Sequence, residues 1–274
     1  MAFRRLLRGQ IDRERLESVA QAVAERHGQS VGHIELLDGN NWLSAPFVLD
    51  DQYFVKAISR QHSLVHALLT AGRNLGAFSS GSEGFFEHFS TPAEMADHEL
   101  AAARQMRELG INVPRPIEAF EHDGLGVVVM EYLPEFITLD DAPVGDVRAH
   151  AAPLFEWLTE MHEAGFAHGD LRAENVLLSR GELYFIDATA VDERRIQDAR
   201  AYDVACALAV LEPIIGASDA VAAAAAVCDD ETLLAAEDFL DFVNIRPDHS
   251  FDARALNGEL EKVATRDGEP DSSA

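Results

Sequence analysis

The sequence predicts an α+β fold in two lobes, a small β-rich N-terminal lobe and a compact, mainly helical C-terminal lobe. Three observations predict it. Short runs of β-branched and aromatic residues crowd the first half, at residues 34–58 and 117–131. Helical periodicity dominates from residue 153 to about residue 243. One capped helix, opened by Thr91-Pro92-Ala93-Glu94, falls between the strands of the first half. At 274 residues and 47% hydrophobic content, the chain can fill the cores of two small lobes. The expected organisation is a helical segment at 1–33, an N-lobe at 34–133, a C-lobe at 134–250 and a tail at 251–274.

Ile11–His27 is expected to be a helix that Asp12 caps and Gly28 ends. Residues 34–58 read as three short strands, with turns near Gly39-Asn40-Asn41 and Asp50-Asp51. The third strand, Tyr53–Ile58, carries Lys56. Residues 60–90 form an insert rich in Gly, Ser and Phe, a length typical of functional or mobile loops. Thr91 and Glu94 make a capping box with Pro92 at the first helical position, and the helix runs to about Leu109, stopped by Gly110. Its apolar stripe is Met95, Ala102, Met106 and Leu109, and Glu99 lies on the same stripe. A carboxylate on a buried face needs a cation or donors, and Lys56 is the natural partner. Ile117–Phe120 and Gly126–Glu131 read as a hairpin, followed by the inter-lobe connection Met130-Glu131-Tyr132-Leu133-Pro134. Pro153–Gly165 is expected to be helical, with Leu154, Leu158 and Met161 inward. Val176–Leu178 and Leu183–Ile186 flank Ser179-Arg180-Gly181-Glu182 as a second hairpin. A helix at Ala199–Leu211 holds Asp203, and the polar end Arg266–Ala274 is expected to be disordered.

The net charge is −26, from 48 acidic and 22 basic residues, and the only lysines are Lys56 and Lys262. Such a charge repels nucleic acid, so no direct DNA binding is expected. At about 1 M salt the Debye length is only ~3 Å and the self-repulsion is screened. Acid excess with Arg in place of Lys suggests the cytoplasm of a salt-accumulating halophile. No run of 18 apolar residues exists, and the start Met1–Arg8 lacks a leader's apolar stretch, so a cytoplasmic protein without a membrane partner is expected. Cys206 and Cys228 fit no metal or redox spacing and read as structural thiols of a reducing compartment.

The strongest local signal runs from Ala167 through His168, Gly169, Asp170 and Arg172 to Asn175, with Asp187 twelve residues later. It reads H-x-D-x-x-x-x-N, then strand, then Asp. Protein-kinase-like phosphotransferases place a base and two metal ligands by this spacing. Asp170 would meet the proton of the attacking group. Asn175 and Asp187 would offer hard oxygen donors to Mg²⁺ or Mn²⁺, which take few carboxylates plus the phosphate oxygens of ATP. Lys56 would hold those phosphates and Glu99 would orient it. Gly39, Asn40 and Asn41 stand where a kinase has its phosphate-covering loop, with one glycine instead of G-x-G-x-x-G; together with Ser44 they offer donors. The backbone of Glu131 and Leu133 would meet the adenine edge, and Met130 would bound the pocket. Arg172 would stabilise transferring phosphate. His168 reads as a packed structural histidine.

With these residues assembled, the chain resembles the atypical RIO kinases over roughly residues 35–245, and especially those of salt-loving archaea. The run Glu108–Ile117 and the long segment between Lys56 and Glu99 add to the likeness. The resemblance implies a bilobal protein-kinase-like fold lacking a full activation segment. It implies Asp203 as the helix residue that braces the catalytic loop. It also implies an aspartyl-phosphate at Asp187, the alternative being ordinary Ser/Thr transfer with Asp187 only a metal ligand, and a protein or ribonucleoprotein partner such as a ribosomal assembly; Ser79, Ser80 and Ser82 of the insert are expected as lesser autophosphorylation sites. Departures are Arg172 where the family usually has Ser, Ala190 where it has Gln, and Asp187-Ala188-Thr189 in place of D-F-G. Fifteen residues separate Asp187 from Asp203, with no A-P-E motif between. The leading function is an ATP-dependent Ser/Thr kinase working largely as an ATPase. Alternatives are a small-molecule phosphotransferase of aminoglycoside or choline kinase type, an ATP-binding pseudokinase scaffold, and likeness to the kinase-like subunit of the KEOPS tRNA-modification complex. The insert at 60–90 argues against the last.

Overall fold

The computed structural model describes residues 11–37, 44–60, 89, 91–188, 196–246 and 249–266. These divide into two units, and the chain passes from one to the other between Glu135 and Phe136.

The first unit is built on β1 (Ile34–Leu36), β2 (Ala45–Leu49), β3 (Tyr53–Ile58), β4 (Pro116–His122) and β5 (Leu125–Glu131), with α1 (Arg13–Arg26) and α2 (Pro92–Glu108). The strands form an antiparallel sheet in the order β1-β2-β3-β5-β4. Turn chemistry sets the β2–β3 hairpin. Asp50 and Asp51 both take positive φ, 54° and 53°, a geometry whose twist matches that of paired strands. The Asp50 carboxylate accepts the N–H groups of Gly32 and His33, at 3.0 and 2.5 Å, and ties the entry of β1 to the turn.

Alternation along the strands sorts the two faces of this sheet. Phe47, Leu49, Val55, Ala57, Leu125, Val127 and Val129 pack with Leu16, Val19, Ala20 and Val23 of α1. The helix expected as a separate segment at 1–33 therefore belongs to the core of the first unit. Asp12 stands before α1 but caps through its carbonyl, which accepts from Arg15 and Leu16, and its side chain makes no cap bond. Lys56 and Val128, paired across β3 and β5, alternate onto the other face. There α2 packs on β3, β4 and β5. A Cβ at Gly126 would lie 2.0 Å from the Pro92 carbonyl oxygen, so glycine lets the start of α2 touch β5. The capping box forms as expected: Glu94 N–H reaches Thr91 Oγ1 at 3.1 Å, and Thr91 N–H reaches the Glu94 carboxylate at 3.2 Å. The buried face of α2 is Pro92, Ala96, Leu100, Ala102, Ala103 and Met106. Met95 and Leu109 of the expected stripe are half-buried.

The second unit holds β6 (Phe136–Thr138), α3 (Val144–Glu163), β7 (Val176–Ser179), β8 (Glu182–Phe185), α4 (Ile196–Ile215), α5 (Ala217–Ala225), α6 (Asp230–Ile245) and α7 (Ala253–Arg266). A small sheet runs β6-β7-β8. Pro153 lies inside α3 rather than at its start. It removes one helical donor, yet Val147, Ala151, Leu154, Phe155, Leu158 and Met161 are buried on either side of it, and that packing carries the helix through. α4 is apolar almost all round and buried almost all round, which makes it the central helix. The expected tail is instead largely α7, whose Ala253, Leu256 and Leu260 are buried where it packs on α5 and α6. Among the described residues no helix is long and apolar enough to cross a membrane.

Candidate active site

In the first unit, Lys56 is 6% exposed and its Nζ donates to Glu99 Oε1 at 2.8 Å. An isolated buried ammonium would be costly, and the carboxylate on α2 removes most of that cost. Met130, two residues beyond Val128, alternates onto the same face of β5 as Lys56's neighbour and is buried. Glu131 is exposed; its side chain pairs with Arg115 at 3.2 Å and its N–H goes to the Arg115 carbonyl. The Tyr132 N–H goes to Gln52, and Leu133 is half-buried. Ser44 is buried, and its Oγ has no hydrogen-bond partner among the described residues. Gly39, Asn40 and Asn41 lie outside the described residues, as do Ala190 and the three serines Ser79, Ser80 and Ser82.

In the second unit the His168–Asn175 loop hangs from α4. Asp203, fully buried, accepts the N–H of His168 at 2.7 Å, the N–H of Gly169 at 2.8 Å and His162 Nε2 at 3.1 Å. A buried carboxylate with three donors is satisfied and rigid. It pins the backbone just before Asp170. His168 is buried edge-on to Phe185 at 5.4 Å. Burial holds its imidazole below the ordinary histidine pKa, against the pull of the Asp203, Asp170 and Asp187 carboxylates, so it stays a neutral packing residue.

Asp170 is 5% exposed. Its Oδ2 meets Arg172 Nη2 at 3.2 Å and its Oδ1 meets Arg246 Nη2 at 3.1 Å. Arg172, expected at a transferring phosphate, is shared between Asp170 and Glu174. The loop then turns through a single 3₁₀ turn, Ala173–Asn175, and the Asn175 amide Nδ2 donates to the Asp170 carbonyl at 2.7 Å. That bond leaves Oδ1 of Asn175 as the atom suited to a metal. The β7–β8 hairpin carries the chain away and back, and Ile186 N–H closes on the Asn175 carbonyl at 3.0 Å. Asp187 thereby returns beside Asn175. Asp187 has φ 61°. The other non-glycine residues at positive φ, such as Asp123 and Arg180, stand in turns, whereas Asp187 does not. A left-handed backbone outside a turn is the kind of local strain that marks functional positions. Among the described residues no three His, Cys, Asp or Glu side chains converge on one point. An Asn–Asp pair suits a hard cation that completes its shell with phosphate oxygens and water.

Arg246 escaped the sequence reading. It lies 76 residues from Asp170 at the end of a helix, and no local pattern connects the two.

The family model for the RIO domain matches residues 86–209, a span that contains Glu99, the His168–Asn175 loop, Asp187 and Asp203. The likeness is to the RIO-type atypical kinases. Over 100 residues the chain is 34% identical to the KEOPS complex subunit Bud32 of Pyrococcus abyssi (strain GE5 / Orsay), across 34% of this chain and 43% of that protein. It thus spans less than half the length of the curated relative it matches. A relative from the class set last by the insert at 60–90 nonetheless aligns. Among solved structures, the chain is similar to the choline kinase LicA from Streptococcus pneumoniae, at 12% identity and TM-score 0.46, over 93% of this chain and 100% of that one. It is also similar to the PknI kinase domain of Mycobacterium tuberculosis, at 15% identity and TM-score 0.42, over 86% and 95%.

Proposed function

We propose that this RIO-type chain binds ATP with Mg²⁺ and transfers the γ-phosphoryl group chiefly to water, as a regulatory ATPase, with Ser/Thr transfer as a minor outcome. The buried Lys56–Glu99 bond carries this reading. A chain with only two lysines keeps one of them on a central strand, paired at 2.8 Å with a helical glutamate. That cation is oriented before any phosphate arrives, so binding does not bear the cost of ordering it. Asp203 holds the loop, and Asp170 orients the attacking oxygen. Asn175 Oδ1 and the Asp187 carboxylate would hold Mg²⁺, which would neutralise charge on the phosphates. The Glu131 and Tyr132 N–H groups are already bonded to Arg115 and Gln52, so Leu133 is the better candidate for an adenine donor.

Water is favoured as acceptor because eight residues separate Asp187 from the start of α4 at Ile196. That leaves little chain for a peptide-docking platform. The test is ATP turnover with Mg²⁺ in multimolar KCl, scored for free phosphate against labelled protein. Free phosphate is the expected product, and hydroxylamine should release any trapped label if Asp187 is a transient acceptor. Label that resists hydroxylamine and maps to serine or threonine would make the chain an ordinary protein kinase. The Bud32 match favours a second element of the reading, that the ATPase works as a subunit of a protein assembly.

A further inference from the structure

We propose that Arg246 is a positioning residue for the catalytic carboxylate, reaching Asp170 from the end of α6. The role rests on the phosphoryl-transfer reading above. Asp170 is held at both oxygens by guanidinium groups, but the two arginines are not equivalent. Arg172 is 18% exposed at its side chain and shared with Glu174. Arg246 is 8% exposed and its contacts face inward. Its Nη1 donates to the Tyr202 hydroxyl, its Nη2 to Asp170 Oδ1 at 3.1 Å, and its Cζ lies 5.9 Å from the Tyr202 ring centroid. Tyr202 is itself fixed, with its ring 6.1 Å from that of Phe239 and 5.8 Å from that of Phe242. The guanidinium therefore has an aromatic face to lie beside and a hydroxyl to aim it. A planar fork bonded in this way aims its Nη2 at one carboxylate oxygen in a set direction, where a lysine would supply charge without orientation.

The consequence concerns the attacking oxygen. Asp203 fixes the backbone of the loop but not the side-chain torsions of Asp170. Arg246 engages one oxygen of that carboxylate and leaves its remaining lone pairs in a set direction, toward which a water or hydroxyl proton can be held. Loss of the arginine leaves Arg172, which is shared with Glu174, and the carboxylate can turn. Small losses of alignment at a reacting group cost rate more than affinity. Among the described residues Arg246 is bonded to neither Lys56 nor Asn175, and the Asn175 amide holds the Asp170 main-chain carbonyl rather than its carboxylate, so nucleotide affinity should be spared.

The experiment compares kcat and KM for ATP in the full chain for wild type, Arg246→Ala, Arg246→Lys and Tyr202→Phe, in matched KCl, with melting temperatures alongside. Arg246→Ala should lose roughly tenfold to a hundredfold in kcat with KM within about threefold. Guanidinium ion added below denaturing concentration should restore part of that kcat, and none in Asp170→Asn. Tyr202→Phe, which keeps the ring and removes the aiming hydroxyl, should fall between. Wild-type kcat in Arg246→Ala, or a loss that guanidinium does not relieve, overturns the positioning role. Should Arg246→Ala fail to fold, wild-type kcat in both Arg246→Lys and Tyr202→Phe overturns it equally. A wild type that does not turn over ATP overturns the functional reading and this role with it, whereas an active wild type with an unaffected Arg246→Ala overturns this role alone.

Discussion

Lys56 in the first unit and Asp203 in the second are both buried charges, and they are held in opposite ways. Lys56 relies on a side chain, Glu99, carried by a helix that rests on the sheet. Asp203 relies on two backbone N–H groups and a buried histidine. A side-chain pair opens when its helix slides, and backbone donors are lost only when the loop itself unfolds. The Lys56–Glu99 bond thus depends on the seating of α2, while the His168–Gly169 backbone is tied directly to α4.

The sharpest break of this contrast is at Asp203. Asp203→Ala leaves three buried donors without their acceptor and should cost about 3–5 kcal/mol. Thermal melting in matched KCl measures it, and a cost no larger than that of Glu99→Ala would erase the distinction between the two sites. Gly126→Ala comes next. Its Cβ would meet the Pro92 carbonyl, which is backbone and must move. Overpacking of this kind costs about 1–3 kcal/mol, and since Glu99 rides on α2, ATP affinity should drop with it. Unchanged melting and affinity would mean that α2 is not seated on β5 through Gly126.

Glu99→Ala should destabilise by about 1–2 kcal/mol and weaken ATP binding by about tenfold, equivalent to about 1.4 kcal/mol. Calorimetric titration with ATP checks the second figure. A variant that loses stability but binds ATP as wild type would make the pair structural. The smallest effect is at the start of α6, where Asp229 accepts the Thr232 N–H at 2.7 Å. The hydrogen bonds from Thr232 hold this carboxyl below the usual range. Its folded pKa is lower than its unfolded one, so its contribution is present above the ordinary carboxylate pKa and lost as pH falls through the folded value. Asp229→Ala should cost about 1 kcal/mol at neutral pH and progressively less in acid. A cost that stays constant into acid would show that the cap is not the cause.

Much of this arrangement was legible because the relevant signals are local. The capping box at Thr91 and the alternation through Lys56 each lie within a few residues, and each predicts a specific bond that forms. Glu99 was legible because a carboxylate on a buried face demands a cation. What failed to read depends on contacts distant in sequence. β6 is three residues long and exists through its pairing with β7. Pro153 carries a helix-start signal, but the buried residues before it, Val147 and Ala151, extend the helix backward. α7 is polar on most of its surface, and its three buried residues, spaced three and four apart, were lost in that background. Arg246 had no sequence signal toward Asp170, because an arginine at a helix end ordinarily faces water.

The central claim is that the Asn175–Asp187 pair and the Asp203-braced loop serve ATP-dependent phosphoryl transfer, and Asp187→Asn tests it most directly. The substitution keeps the shape and removes the charge that a Mg²⁺–phosphate complex requires. Phosphate release from ATP should be abolished in Asp187→Asn while its melting temperature stays near that of wild type. Wild-type phosphate release by folded Asp187→Asn protein would contradict the account.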